Sequence, residues 1–202
     1  IDVLEGINYQ SVAKTAMHTS DRCNMYAHVP PYVKTGYWDS ATGLPNTWTG
    51  EPDFDTKVEA DNCWVMAPHQ WANQGCVAIS GENGTIGAPV NDNKGGVYVM
   101  EWDPANLYIR SWVFTPRDKM PSNLADAMST SGEKDKSKRV MPDPTEWDLP
   151  YAYFAIGPTT GCSSDHFQDM RVVFNLAFCG TVSGNRFFGD CPEQAKEFNI
   201  DN

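Results

Sequence analysis

Gly96-Val97-Tyr98-Val99-Met100-Glu101-Trp102 and Tyr108-Ile109-Arg110-Ser111-Trp112-Val113-Phe114 flank Asp103-Pro104-Ala105-Asn106, and this stretch decides the fold. Both runs are rich in β-branched and aromatic residues, which suit a pleated, half-buried surface. Between them, proline presets φ while Asp and Asn side chains bond nearby backbone, so the connection reads as a hairpin turn. Working outward, residues 15–19, 151–156 and 170–178 have the same strand-like composition, and glycine and proline punctuate them. No internal repeat is present and helical periodicity is slight. The expected fold is therefore all-β, a sandwich of two antiparallel sheets in which one concave sheet can hold a ligand. Residues 118–131 predict the one short helix, with Pro121 and Asn123 near its start. Residues 132–139, charged throughout their middle, predict a solvated insertion rather than a binding site.

The chain has 202 residues, so one domain over 1–202 is expected, long enough to bury a sizeable core. A formal charge of -11 and a pI near 4.6 argue against nucleic acid and anionic membranes as partners. No stretch is apolar and long enough to span a bilayer, and no signal peptide is recognisable, so a secreted protein would be represented by a mature or trimmed chain. Six cysteines without a Cys-x-x-Cys pair point to disulfides in an oxidising compartment. Short loops favour Cys63 with Cys76 and Cys179 with Cys191, among the several connectivities that six cysteines allow. His28, His69 and His166 lack metal-ligand spacing, so no catalytic metal is expected.

Ile1-Asp2-Val3-Leu4-Glu5 places two acids on an apolar, strand-like run. Alternation along a strand would put Asp2 and Glu5 on opposite faces. A β-bulge at Val3-Leu4 would rephase the strand and turn both acids to one face. An edge strand protected by charge is the simpler account of such a run.

With Ile1-Asp2-Val3-Leu4-Glu5, then Met17-His18-Thr19-Ser20, Cys23 and Asn73-Gln74-Gly75-Cys76 in order along it, the chain resembles glycoside hydrolase family 16, the laminarinase-type β-1,3-glucanases. Preceded by a glutamate, Asp2 and Glu5 would complete the Glu-x-Asp-x-x-Glu signature of retaining β-glucan hydrolases. Met17-His18-Thr19-Ser20 with Cys23, Asn73-Gln74-Gly75-Cys76, and Ile109 through Pro116-Arg117 are similar to family landmarks, in order. So are Pro142-Asp143-Pro144-Thr145-Glu146-Trp147, Asp165-His166-Phe167, and Val172 through Cys179-Gly180, the last read as a sheet segment. Thr181-Val182-Ser183-Gly184 departs from the family's Asp-Trp-Ala-Gly, removing one sugar-stacking tryptophan.

The resemblance implies a β-jelly-roll fold and a secreted, extracellular or cell-wall retaining endo-β-1,3-glucanase, with β-1,3/1,4-glucan as a further substrate class. Glu5 would be the acid/base, Asp2 would tune its charge, and His18 would orient these groups; the nucleophile would precede Ile1. A retaining pair stands roughly 5–5.5 Å apart. Seven Trp, eight Tyr and nine Phe supply rings that can stack on sugars, and Tyr37, Trp38, Trp48, Trp64 and Trp71, in turn-rich stretches, are the candidate substrate contacts. No cofactor is implied, although a structural calcium on the convex face stays open. Against the family pattern, N-terminal strands and a closing C-terminal strand are absent from the sequence. Three accounts fit: part of a longer protein, one piece completed by a companion chain or fragment, or a non-catalytic glucan-binding or wall-structural relative. Transglycosylation on the same scaffold is a further alternative.

Overall fold

A computed structural model describes residues 1–41, 58–176 and 181–197. Strands β1 (Asp2–Glu5), β2 (Lys14–Met17), β3 (Tyr37–Trp38) and β4 (Cys76–Ile79) form one antiparallel sheet in the order β1-β2-β4-β3. A second antiparallel sheet runs β5-β6-β7, from β5 (Val97–Asp103), β6 (Tyr108–Phe114) and β7 (Ala152–Ala155).

The hairpin expected at 96–114 is present. Its arms pair without slippage from Val97 opposite Phe114 to Asp103 opposite Tyr108. Asp103 Oδ1 accepts the Ala105 and Asn106 amides, both at 2.9 Å, and Asn106 Nδ2 donates to Asp103 Oδ2 at 2.7 Å. Those bonds to the ionised form hold the Asp103 carboxyl below its usual range.

Alternation divides β2 between two environments. Ala13, Met17, Ile109, Ala152 and Phe154 are all fully buried and belong to one core, with Trp38 packed on Phe154 at 5.6 Å between ring centroids. On the opposite face of β2 stand Lys14 and His18, both half-buried. That face carries the candidate site.

Helix α1 spans Ala88–Asp92 and α2 spans Ser122–Thr130, the latter inside the stretch expected to be helical. Two further helices, α3 (Thr181–Asp190) and α4 (Pro192–Ala195), were not legible in the sequence. The α3 sequence contains Gly184 and Gly189 and begins Thr-Val, all poor helix formers. Tertiary contact supports it instead: Asn8 Nδ2 donates to Asp190 Oδ2 at 3.0 Å. Residues 132–140 are exposed throughout, as expected of a solvated insertion.

The strand expected at 170–178 is not formed over its described part, 170–176. Val172, Val173, Phe174 and Leu176 are 75–95% exposed there. Strand composition supplies side chains for a sheet face, but a strand also needs a neighbour for its amides and carbonyls. Among the described residues no backbone hydrogen bond or strand pairing reaches this segment.

Cys63 pairs with Cys76, the expected short loop, while Cys23 pairs with Cys162 across 139 residues of sequence. Cys191 is a buried free cysteine, and its expected partner Cys179 lies outside the described residues. The two disulfides fit an oxidising compartment. No helix among the described residues is long and apolar enough to cross a membrane.

Candidate active site

Asp2 lies opposite Ala16 and Glu5 opposite Lys14, so three steps along β1 match two along β2. The extra residue is the bulge expected at Val3-Leu4. It overrides strict alternation and brings ligand atoms of Asp2, Glu5 and His18 within 4.8 Å of one another.

The bulge has a buried support. Thr15 is fully buried, and its hydroxyl donates to the Val3 carbonyl at 3.0 Å. Tyr151 Oη lies 2.6 Å from Thr15 Oγ1. A threonine hydroxyl has one hydrogen, already given to Val3, so Tyr151 is the donor to Thr15.

His18 follows β2 directly, and its Nε2 lies 3.0 Å from Asp2 Oδ2. Its Nδ1 is buried without a hydrogen-bond partner among the described residues. The ring sits against Gly75, whose φ is +65°. A Cβ on Gly75 would lie 2.2 Å from the Met17 carbonyl oxygen and 2.8 Å from His18 Nδ1. Glycine is required for both reasons, and it stands in the Asn73-Gln74-Gly75-Cys76 landmark.

The three groups are driven to different protonation states. The hydrogen bond from His18 lowers the Asp2 pKa, against the opposing effect of burial. The same bond raises that of His18. Glu5 moves the other way: burial raises its pKa first, and the Asp2 charge raises it further. Glu5 thus holds its proton to higher pH than an ordinary glutamate, beside an ionised Asp2. That divergence suits an acid that must donate a proton next to a carboxylate that must not. The trio is also compact enough to hold a cation.

The structure separates the candidate aromatic contacts. Tyr37 is 53% exposed and lines a groove of about 310 Å³ together with Lys14, Ile79, Ile7 and Tyr9. Trp38 does not belong to that surface. It is 8% exposed in the core, because the residue after a cleft-facing Tyr37 on a strand faces the other way. Trp64 and Trp71 are half-buried; Trp64 bridges to Thr19, immediately after His18, and Trp71 donates its amide to Gln74 Oε1 at 3.3 Å. Trp48 lies outside the described residues. A larger concavity of about 550 Å³, between Ser20, Arg22 and residues 157–166, has Asp165 as its one carboxylate and lacks a carboxyl pair.

Two polar pairs escaped the sequence reading. Lys14 Nζ donates to Asp39 Oδ2 at 2.6 Å on the cleft face, and Tyr151 supports Thr15 beneath it. Alternation from His18 back to Lys14 was a usable signal for the first. No local pattern marks the second, since 136 residues separate its partners.

The family model for XgeA-like catalytic domains of glycoside hydrolase family 16 matches residues 1–201. The chain belongs to that family. Among its curated relatives, a probable glycosidase of Schizosaccharomyces pombe is 30% identical over 98% of this chain and 38% of its own length. An endo-1,3(4)-beta-glucanase of Arthroderma benhamiae is 29% identical over 96% of this chain and 34% of its own length. The family 16 chain thus spans about two-fifths or less of these relatives. A solved mutant of laminarinase 16A that cyclizes laminariheptaose superposes with a TM-score of 0.51, at 24% identity, over 82% of this chain and 42% of that one. That likeness concerns the fold, the β-jelly-roll sandwich of family 16.

Proposed function

We propose that this chain carries the catalytic cleft of a retaining endo-β-1,3-glucanase that also accepts mixed β-1,3/1,4-glucan, working outside the cell or in the cell wall. One observation carries the reading: the bulge gathers Glu5, whose pKa is raised, and Asp2, whose pKa is lowered, with His18 on the sheet face that Lys14 shares. The names of the fungal relatives, endo-1,3(4)-beta-glucanases, support the substrate class.

In this mechanism Glu5 donates its proton to the glycosidic oxygen as the bond from that oxygen to C1 breaks. A carboxylate on the opposite side of the sugar attacks C1 and forms a glycosyl ester. Glu5, now ionised, takes a proton from water, and that water attacks C1 and releases the carboxylate. Motif spacing assigns the attacking carboxylate to the position ahead of Ile1, which strand alternation turns to the face of Asp2. Asp2 keeps Glu5 protonated by like charge, and His18 holds Asp2 in place. Two carboxyl groups complete this chemistry without a cofactor.

The test measures reducing ends released from a linear β-1,3-glucan by the full protein, with the anomeric configuration of the first product followed by proton NMR. Release with retained configuration is expected. Inverted product, or no release by protein that binds the glucan, refutes the reading.

A further inference from the structure

The strand registers line up four cleft-face residues across the sheet. Glu5 lies opposite Lys14, Lys14 opposite Ile79, and Ile79 opposite Tyr37. Neighbouring strands are about 4.8 Å apart, so the row from Glu5 to Tyr37 extends about 14 Å, longer than one pyranose ring. Lys14, Ile79 and Tyr37 all line the groove.

We infer that Lys14, Asp39 and Tyr37 form a sugar subsite flanking the scissile bond, with the ion pair reading hydroxyls and Tyr37 stacking on the ring. The inference rests on the glucanase reading and adds residues and chemistry to that cleft. A pyranose presents two kinds of surface, an apolar face of C–H groups and a rim of hydroxyls. Tyr37 supplies an exposed aromatic ring for the first. For the second, an ammonium has three N–H donors, and Lys14 gives one to Asp39. Asp39 is anchored in turn, its Oδ1 accepting the Ser40 amide at 2.8 Å.

The pair is also placed where a sugar next to Glu5 would pass. Lys14 is directly opposite Glu5, and its ammonium donates to Asp39 while its charge still reaches the acid. The side chains of Lys14 and Asp39 are 22% and 30% exposed, open to a ligand but already oriented before one arrives.

The experiment uses Glu5→Gln protein, whose turnover is expected to be slow enough for binding to be read, and measures its affinity for a linear β-1,3-linked glucohexaose by calorimetry. Adding Lys14→Met or Tyr37→Ala is expected to weaken binding about tenfold or more, as loss of a charged hydrogen bond or a stacking face does. Tyr37 is exposed, so its variant keeps the fold, and a thermal melt checks both. Unchanged affinity in both variants overturns the subsite, and a loss in Tyr37→Ala alone overturns the part given to the ion pair. The parent reading is judged separately by reducing-end release from the unsubstituted protein. Turnover there with unaltered hexaose binding in the variants refutes only the subsite.

Discussion

The Tyr151 hydroxyl lies 2.6 Å from Thr15 Oγ1, and through Thr15 it supports the Val3 carbonyl inside the bulge that re-aims Glu5. Residue 151 directly precedes a strand of the other sheet, so the second layer of the sandwich fixes the geometry of the first. Burial raises the Tyr151 pKa to about 12, so the phenol remains a donor across the working range.

Thr15→Val leaves both the Val3 carbonyl and the Tyr151 hydroxyl without their partner, each costing about 1–3 kcal/mol. Turnover is expected to fall at nearly constant KM, because the acid loses its aim while the groove persists. Tyr151→Phe removes only the outer bond and costs about 1 kcal/mol. Steady-state kinetics beside urea unfolding check this; lost stability with unaltered kcat would show the relay to be structural only.

Glu5→Gln is expected to cut turnover by roughly 10²–10⁴-fold, the usual worth of a general acid or base. Glucan binding should remain nearly intact, since the amide keeps the shape. Calorimetry and reducing-end assays on one preparation separate the two effects, and retained turnover would remove Glu5 from the acid/base role.

The pH dependence follows from the opposed shifts. Glu5 must be protonated to act, and burial with the Asp2 charge raises its pKa, so the alkaline limb of kcat/KM should lie above the ordinary glutamate value of 4.5. Asp2→Asn removes the like charge and should move that limb to lower pH. For stability the sign is the reverse of a favourable ion pair: folded Glu5 resists ionisation, which costs stability once pH exceeds 4.5. Glu5→Gln should therefore melt higher than the parent at neutral pH, with the gain closing as pH falls below 4.5.

The Asp2–His18 pair contributes in a bounded window. The lowered Asp2 pKa gives stability present above 3.8 and lost as pH falls through the folded value. The raised His18 pKa gives stability present below 6.5 and lost as pH rises through its folded value. His18→Ala should therefore destabilise most between those two values, and its ionic part should vanish in more alkaline buffer. Turnover should suffer more than folding. Equal destabilisation at pH 5 and pH 9 in chemical denaturation would exclude the ion pair as the cause.

Gly75→Ala should destabilise by more than 1 kcal/mol, roughly the limit of a mild glycine effect, because φ is +65° and the methyl meets the Met17 carbonyl. Displacement of His18 should accompany it, visible as a changed imidazole titration by NMR. An unperturbed titration would show that Gly75 serves the turn alone.

Much of the framework was legible because it depends on local rules. Alternation and turn chemistry over 96–114 determine the hairpin, and the spacing of Asp2 and Glu5 demands a bulge if both are to share a face. His18 was legible through its family landmark, and Cys63 with Cys76 through its short loop. Tertiary structure alone decided that Trp38 turns inward while Tyr37 remains on the groove, since composition does not say which face of a short strand is covered. It alone joined Cys23 to Cys162, Lys14 to Asp39 and Tyr151 to Thr15, and left 170–176 outside both sheets. Periodicity acts over neighbouring residues, whereas a side chain's partner is set by packing between segments far apart in the chain.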